Sequence, residues 1–267
     1  MGAEAKYLRV SRMWGSLGDG AIYYGSKPLS LDGGIVRSLG FIVNVEQLER
    51  RATLLRQAEW SGITLINPTD PLLKARDKYL SLLILERRGV RVPRTMVTED
   101  LGAAVRAVEE WGRVVVKPII GSMGRGSMMI TDPDEAFTIF RTLLSLGQPL
   151  YIQEYVEKHG RDIRVFVVGD RVIAAAYRYA VPGAWKTNVA QGGRMEPLKP
   201  SEELENLALK TTEILGLEYA GVDVAEDREG YMVFEANASP LWRGLQEATG
   251  VDVAAHIVAR LAELLRR

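Results

Sequence analysis

Two hydrophobic periods take turns along this chain, and the switches between them outline its elements. Residues 1 to about 40 read as short strands and turns, with apolar runs in AIYYGSKPL and GGIVRSLGFIV. From about 47 to 60, QLERRATLLRQAEW carries helical spacing and Ser61-Gly62 ends it. ITLINP is a short buried strand closed by Pro68, and DPLLKARDKYLSLLILERRG reads as helix with Gly89 as the stop. VRVPRTMVT is extended around Pro93, and a helix from about 99 to 111 ends at Gly112. VVVKPIIGSMGRGSMMI, residues 114 to 130, reads as strand–loop–strand. The next helix, DPDEAFTIFRTLLSLG, has Asp132 as N-cap, Pro133 in the first helical position, Glu135 at capping-box spacing and Gly147 at its end.

Period two then dominates, in LYIQEYV, DIRVFVVGD and RVIAAAYRYA, the last pair forming a hairpin about Gly-Asp. A helix from Ser201 to about 215 precedes a second hairpin, AGVDVAEDREGYMVFEANASP. Residues 252 to 265 close the chain as an amphipathic helix with Ile257, Leu261, Leu264 and Leu265 on its apolar face. The pattern predicts a mixed α+β protein, with soft boundaries near 75 and 150 that divide it into 1–75, 76–150 and 151–267.

Composition narrows the chemistry. The chain has 267 residues, 47% hydrophobic and 25% charged, with 34 basic against 34 acidic side chains. That balance points to neither a nucleic-acid nor a membrane-surface partner. No cysteine is present and the histidines are His159 and His256, so thiolate catalysis, Cys-based zinc and a Ser-His-Asp triad drop out. A metal here is held by oxygen, which suits Mg²⁺ or Mn²⁺. No apolar run reaches the ~20 residues of a membrane span. The N-terminus lacks a signal-peptide core and a myristoylation motif, so the expected compartment is the cytoplasm.

Four segments carry candidate chemistry. In VVVKPIIGSMGRGSMMI the lysine precedes the glycines and no helix follows, so neither the P-loop nor the dinucleotide fingerprint fits. Gly121, Gly124 and Gly126 let backbone amides approach anionic oxygens, Ser122, Arg125 and Ser127 add donors, and Lys117 ends a buried strand. An ordinary turn beside a snorkelling lysine fits the same residues. In the second hairpin, folding about 227 to 230 sets Asp223 near Glu235, and Glu235 and Asn237 share a face. Two carboxylates among Val222, Val224 and Phe234 repel unless a cation lies between them, which suits one or two Mg²⁺ ions carrying phosphates. Glu154, Tyr155 and Asp162 fit an adenine and ribose, with a surface ion pair of Asp162 as the competing reading. Arg178, Lys186 and Asn188 flank a loop bounded by glycines that suits an acidic group or a transferring phosphoryl, or simply solvent.

The order of these motifs is more specific than any one of them. Asp77-Lys78 opens a helix, then come VVVK, the glycine hairpin, QEYV, DIR, WKTN…GG, GVDV and FEANASP. This order resembles the ATP-grasp superfamily, and within it the RimK-type amino-acid ligases, from about residue 20 to the end and most closely over 74–258. The resemblance implies two α+β subdomains sandwiching ATP, preceded by an N-terminal α/β domain. Only about twenty residues stand before IYYGSKPL, so that domain is either reduced or truncated.

The resemblance also implies an acyl phosphate formed from ATP and a carboxylate, then displaced by the amine of an amino acid. Glutamate is the expected amino acid. The acceptor is a protein C-terminus, a coenzyme or a carrier protein. Lys117, with Lys78 as a second lysine, would contact phosphate beneath a lid at 121–127. Glu154 and Tyr155 would bracket adenine and Asp162 take the ribose. Arg178 would stabilise the transferring phosphoryl, with Lys186, Thr187 and Asn188 at the phosphates. Asp223, Glu235 and Asn237 match the Mg²⁺ or Mn²⁺ ligands. Trp242 and Arg243 would line the acceptor side. A different amino acid or carrier-protein acceptor, and a non-catalytic ATP-binding module, are the competing readings; the complete metal triad argues against the module. A homo-oligomer is left open.

Overall fold

The computed structural model describes residues 3–266 except 41–42, 120–125, 159, 182, 184 and 186–192. The chain starts with a small antiparallel sheet of β1 (Met13–Gly15), β2 (Ile22–Tyr24) and β3 (Lys27–Pro28). Next, β4 (Gly33–Ile35), α1 (Val45–Trp60) and β5 (Thr64–Ile66) form a parallel strand–helix–strand unit. A capping box starts α1, with Asn44 accepting from the Gln47 amide and Gln47 returning to the Asn44 amide.

The helix expected over DPLLKARDKYLSLLILERRG is two helices, α2 (Thr69–Arg76) and α3 (Lys78–Arg87). Asp77 between them is extended, and its carboxylate accepts from the amides of Tyr79 and Leu80. Leucine spacing runs on through the break, but a side chain that satisfies the first amides of a new helix competes with continuing the old one. The break matters because it presents Lys78 from a helix start.

A second antiparallel sheet has the order β6 (Thr95–Thr98), β9 (Leu150–Glu154), β7 (Val114–Lys117), β8 (Met128–Ile130). Helices α4 (Leu101–Trp111) and α5 (Pro133–Ser145) cover one face, where Val114, Val116, Leu150 and Ile152 meet Ala104, Val108, Ala136 and Phe140. Pro133 takes the first position of α5, while Asp132 caps the Asp134 amide, one position before capping-box register. Alternation sends Lys117, Tyr151 and Gln153 to the opposite face. The sheet ends at Glu154 and so runs past the soft boundary at 150.

The largest sheet has the order β12 (Arg194–Pro197), β11 (Arg171–Tyr179), β10 (Arg161–Val168), β13 (Tyr219–Asp227), β14 (Gly230–Asn237), all antiparallel. One face carries Ile163, Val165, Val167, Val222 and Val224 into a core shared with Leu204 and Ala208 of α6 (Glu202–Leu215) and with Leu82 and Leu85 of α3. The other face is divided. Its apolar half, with Phe166, Val168 and Tyr219, packs on Leu245 of α7 (Arg243–Thr249) and on Val253 and Ile257 of α8 (Val253–Leu264). Its charged half carries Asp162 and Arg164, which precede Phe166 and Val168 on the same side of β10.

Candidate active site

Register assembles the charged half. Arg164 on β10 lies opposite Asp223 on β13, and Asp223 opposite Glu235 on β14. In the next row Phe166, Gly221 and Asn237 align, and one step the other way Asp162 faces Arg178 of β11. The hairpin read from sequence therefore brings Asp223, Glu235 and Asn237 to one face. A bulge after Asp223 leaves Phe234 as the extra residue of β14 beside Glu235.

The carboxylates lie in a lattice of cations. Arg164 donates Nε to Asp223 Oδ1 at 2.5 Å and Nη2 to Oδ2 at 3.0 Å. Arg178 donates Nε to Asp162 Oδ1 at 2.6 Å and places Nη2 3.1 Å from Asp223 Oδ2. Lys158 Nζ lies 3.1 Å from Asp162 Oδ2, and Lys78 Nζ 3.7 Å from Glu235 Oε1. Arg178 is buried, which works against its charge, but Asp162 and Asp223 outweigh that and hold the guanidinium above its ordinary value. Gly221 makes room for this packing: a Cβ there would stand 2.7 Å from Arg164 Nη1 and 2.8 Å from Pro240 Cβ.

The smaller sheet supplies the opposite wall. Lys117 Nζ donates to Gln153 Oε1 at 2.6 Å and sits 5.9 Å from the centre of the Phe234 ring, so β7 faces β14 across the cleft. Lys158 lies over the same ring at 5.3 Å. Burial pushes the Lys117 ammonium down to about 8 from 10.5; Glu235 opposes the shift, and Lys158 and Lys78 add to it. Gln153 is itself fixed, donating to Thr95 Oγ1 and Tyr151 Oη.

Lys78, Lys117, Asp162, Arg178, Asp223, Glu235 and Asn237 are thus brought to one cleft. Glu154 ends β9 and Tyr155 follows it: Lys117 pairs with Tyr151, whereas Glu154 pairs with Val114. The Glu154 carboxylate accepts from the Arg94 amide at 2.8 Å, and Tyr155 lies under the Arg113 guanidinium. Gly126 adopts φ +74° against Pro118. Gly121, Ser122, Gly124, Arg125, Lys186, Thr187 and Asn188 lie outside the described residues. Arg243 is exposed and paired with Glu247, while Trp242 packs edge-on to Phe166.

Arg164, Lys158, Gln153 and Phe234 escaped sequence reasoning as site residues. A lone charge in the apolar strand DIRVFVV, in phase with Asp162, was the available signal for Arg164. Lys158 carries no such signal, because its loop has no period.

Oxygen donors on one face suit a hard divalent cation, and Asp223 Oδ1, which faces one guanidinium N–H where Oδ2 faces two, keeps a lone pair for it. Among the described residues the cleft holds the cations Lys78, Lys117, Lys158, Arg164 and Arg178 against Asp162, Asp223 and Glu235. That cationic surplus matches a polyanion.

Comparison with known proteins gives the same outline. Residues 75–261 match the family described as the RimK-like ATP-grasp domain. The chain is 37% identical over 210 residues to a tetrahydromethanopterin:alpha-L-glutamate ligase of Methanocaldococcus jannaschii, covering 76% of this chain and 72% of that protein. It is 34% identical over 244 residues to a probable alpha-L-glutamate ligase of Stutzerimonas stutzeri, covering 90% and 79%. The solved structure of the ATP-grasp ligase PsnB with minimal precursor, Mg and ADP superposes with a TM-score of 0.71 at 24% identity, covering 97% of this chain and 88% of that one.

Proposed function

The chain belongs to the RimK-like ATP-grasp family, and from that premise we propose that it joins glutamate to a carboxylate-bearing acceptor in the cleft between its two larger sheets. It is an ATP-dependent ligase that forms a carbon–nitrogen bond. The observation that carries the proposed site is the row Arg164–Asp223–Glu235, flanked by Arg178 and faced by Lys117. Glutamate is the amino acid in the names of both curated relatives. A coenzyme, a protein C-terminus and a carrier protein all present the required acceptor carboxylate.

In the proposed reaction an acceptor carboxylate oxygen bonds the γ-phosphorus of ATP as the bond from that phosphorus to ADP breaks. The glutamate nitrogen then bonds the acyl carbon, phosphate leaves with the C–O electron pair, and the nitrogen loses a proton. Charge develops on oxygen throughout, so positioned cations serve where a protein nucleophile would not. Lys117 and Lys78 hold phosphate oxygens, and Arg178, fixed by Asp162 and Asp223, meets the transferring phosphoryl group. Asp223, Glu235 and Asn237 would hold Mg²⁺, or Mn²⁺ of the same ligand preference, in one or two ions, which supplies charge neutralisation at the phosphates.

Glu154 and Tyr155 would bracket adenine and Asp162 the ribose. Three residues of β9, roughly 10 Å, separate Glu154 from the Lys117 level, leaving length for the sugar between. Residues 121–127 would lid the phosphates, with Lys186, Thr187 and Asn188 beside them. In this reading 1–75 supports the site, 76–150 carries the lysine wall and 151–267 the metal wall. No helix among the described residues is long and apolar enough to cross a membrane, and a cytoplasmic supply of ATP and glutamate suits the reaction.

The test is ADP release with each amino acid against candidate acceptors, with mass spectrometry of the products. Glutamate is expected to give a product heavier by one glutamyl residue. Product formation with another amino acid in its place would overturn the glutamate reading, and unchanged turnover in Glu235→Ala would overturn the metal assignment.

A further inference from the structure

Arg37 follows β4 in the N-terminal unit, and its guanidinium is fixed from three sides. Nη2 donates to the Pro240 carbonyl at 2.8 Å, Nη1 to the Tyr219 hydroxyl at 3.3 Å, and the guanidinium carbon lies 4.1 Å from the Trp242 ring centre. Trp242 is in turn wedged against Phe166, and Tyr219 and Ser239 both donate to the Val36 carbonyl. These partners are all neutral. Arg164 and Arg178 each hold a carboxylate, whereas among the described residues none pairs with Arg37.

A half-buried guanidinium loses hydration that neutral acceptors only partly replace, and its preferred partner is an anion bound in fork geometry. Arg37 also lies beside the cleft. Pro240 is the third residue after Asn237, and the Gly221 Cβ position meets Pro240 on one side and Arg164 on another. The Gly221 position thus links the Arg37–Pro240 contact to the Arg164–Asp223 pair.

We propose that Arg37, braced by Trp242 and the Pro240 carbonyl, anchors a substrate carboxylate that does not react. This rests on the ligase reading, in which two sources offer such a group: the α-carboxylate of the incoming glutamate, and a second carboxylate on the acceptor. In either case Arg37 reads the group by charge and holds the reacting end toward Asp223 and Glu235.

The experiment measures equilibrium binding, without turnover, in the presence of Mg-ADP. L-Glutamate is compared with its α-amide, and N-acetyl-L-glutamate, standing for an acceptor end, with its diamide. Calorimetry gives affinity, and indole emission reports on Trp242, with Trp242→Phe as its control. Wild-type protein is expected to favour the free carboxylate by about tenfold to a hundredfold in one pair, the range for a charge-assisted contact. Arg37→Gln, which keeps a donor for the Pro240 carbonyl, should bring that pair within about twofold, and Arg37→Lys should restore part of the preference. Preference that Arg37→Gln abolishes in the glutamate pair assigns the carboxylate to the amino acid, and in the N-acetyl pair to the acceptor.

Equal binding of acid and amide by wild type in both pairs overturns the proposal, as does an Arg37→Gln variant that binds Mg-ADP normally yet keeps the wild-type ratio. Failure of the ligase reading would show separately, as absence of amino-acid-dependent ADP release from wild type.

Discussion

Lys117 is where the proposed function and stability oppose each other, and Lys117→Met separates them. Burial lowers the ammonium to about 8 from an ordinary 10.5. Below pH 8 the native protein therefore carries a desolvated charge that the unfolded chain hydrates freely, at a cost of about 3 kcal/mol. Methionine keeps the apolar stem and removes the charge. It also orphans the buried Gln153 Oε1, costing about 1 kcal/mol, and loses a ring contact worth roughly 0.5–1 kcal/mol. A net gain of about 1–2 kcal/mol remains, or roughly 2–6 °C in Tm at pH 7 for a chain of this size.

The sign follows from proton counting. Between pH 8 and 10.5 the unfolded chain binds more protons at this site than the native one, so wild-type stability rises with pH across that window. The advantage of the variant should shrink as pH rises, vanish about one unit above pH 8, and give way to a more stable wild type near the upper end, where the orphaned Gln153 Oε1 remains. Thermal melts at several pH values, without nucleotide and with metal chelated, read this directly. Calorimetry with ATP should show the opposite effect, affinity weakened about tenfold to a hundredfold by loss of a charge-assisted phosphate contact. A Lys117→Met protein that melts below wild type at pH 7, or binds ATP equally well, would refute the reasoning.

Three further perturbations probe the lattice around it. Asp223→Asn leaves Arg164 and Arg178 facing a neutral amide, so denaturant titration should record a loss of about 3 kcal/mol, and half-maximal ADP release should need about tenfold or more extra Mg²⁺. Gly221→Ala drives a methyl into Arg164 Nη1 and Pro240; a cost of about 1–3 kcal/mol with lower kcat is expected, and wild-type kcat would show that Arg164 has room to move. Asn67 is buried and makes four hydrogen bonds, donating to the carbonyls of Tyr219 and Ala238 and accepting from the amides of Glu218 and Tyr219. Asn67→Ala should cost on the order of 3 kcal/mol or more, and Asn67→Asp should fare no better at pH 7, because a carboxylate cannot donate to the two carbonyls.

Much of this architecture was legible in one dimension because the signals are local. Asp132-Pro133 and Ser201 start helices at their own positions, and Gly-Asp at 169–170 turns a hairpin, since caps and turns depend on neighbouring backbone groups. The Asp223–Glu235 pairing followed from hairpin register, which fixes partners once the turn is placed. The helix start at Asp77-Lys78 was legible in the motif order but not in the periodicity, because leucine spacing persists across the break while capping geometry decides against continuity.

By itself, the sequence determined the elements, the oxygen-only donor set and an order of motifs specific enough for a family. Tertiary structure alone decided that Asp223 would be clasped by Arg164 and Arg178, that Lys117 would cross from another sheet to face Phe234, and that Arg37 would reach Pro240 and Trp242. These contacts join strands and segments far apart along the chain. No local period encodes them, because a charge in an apolar strand states only that it needs a partner. Which partner it meets, and how much water is lost on meeting it, depends on how the sheets close over one another.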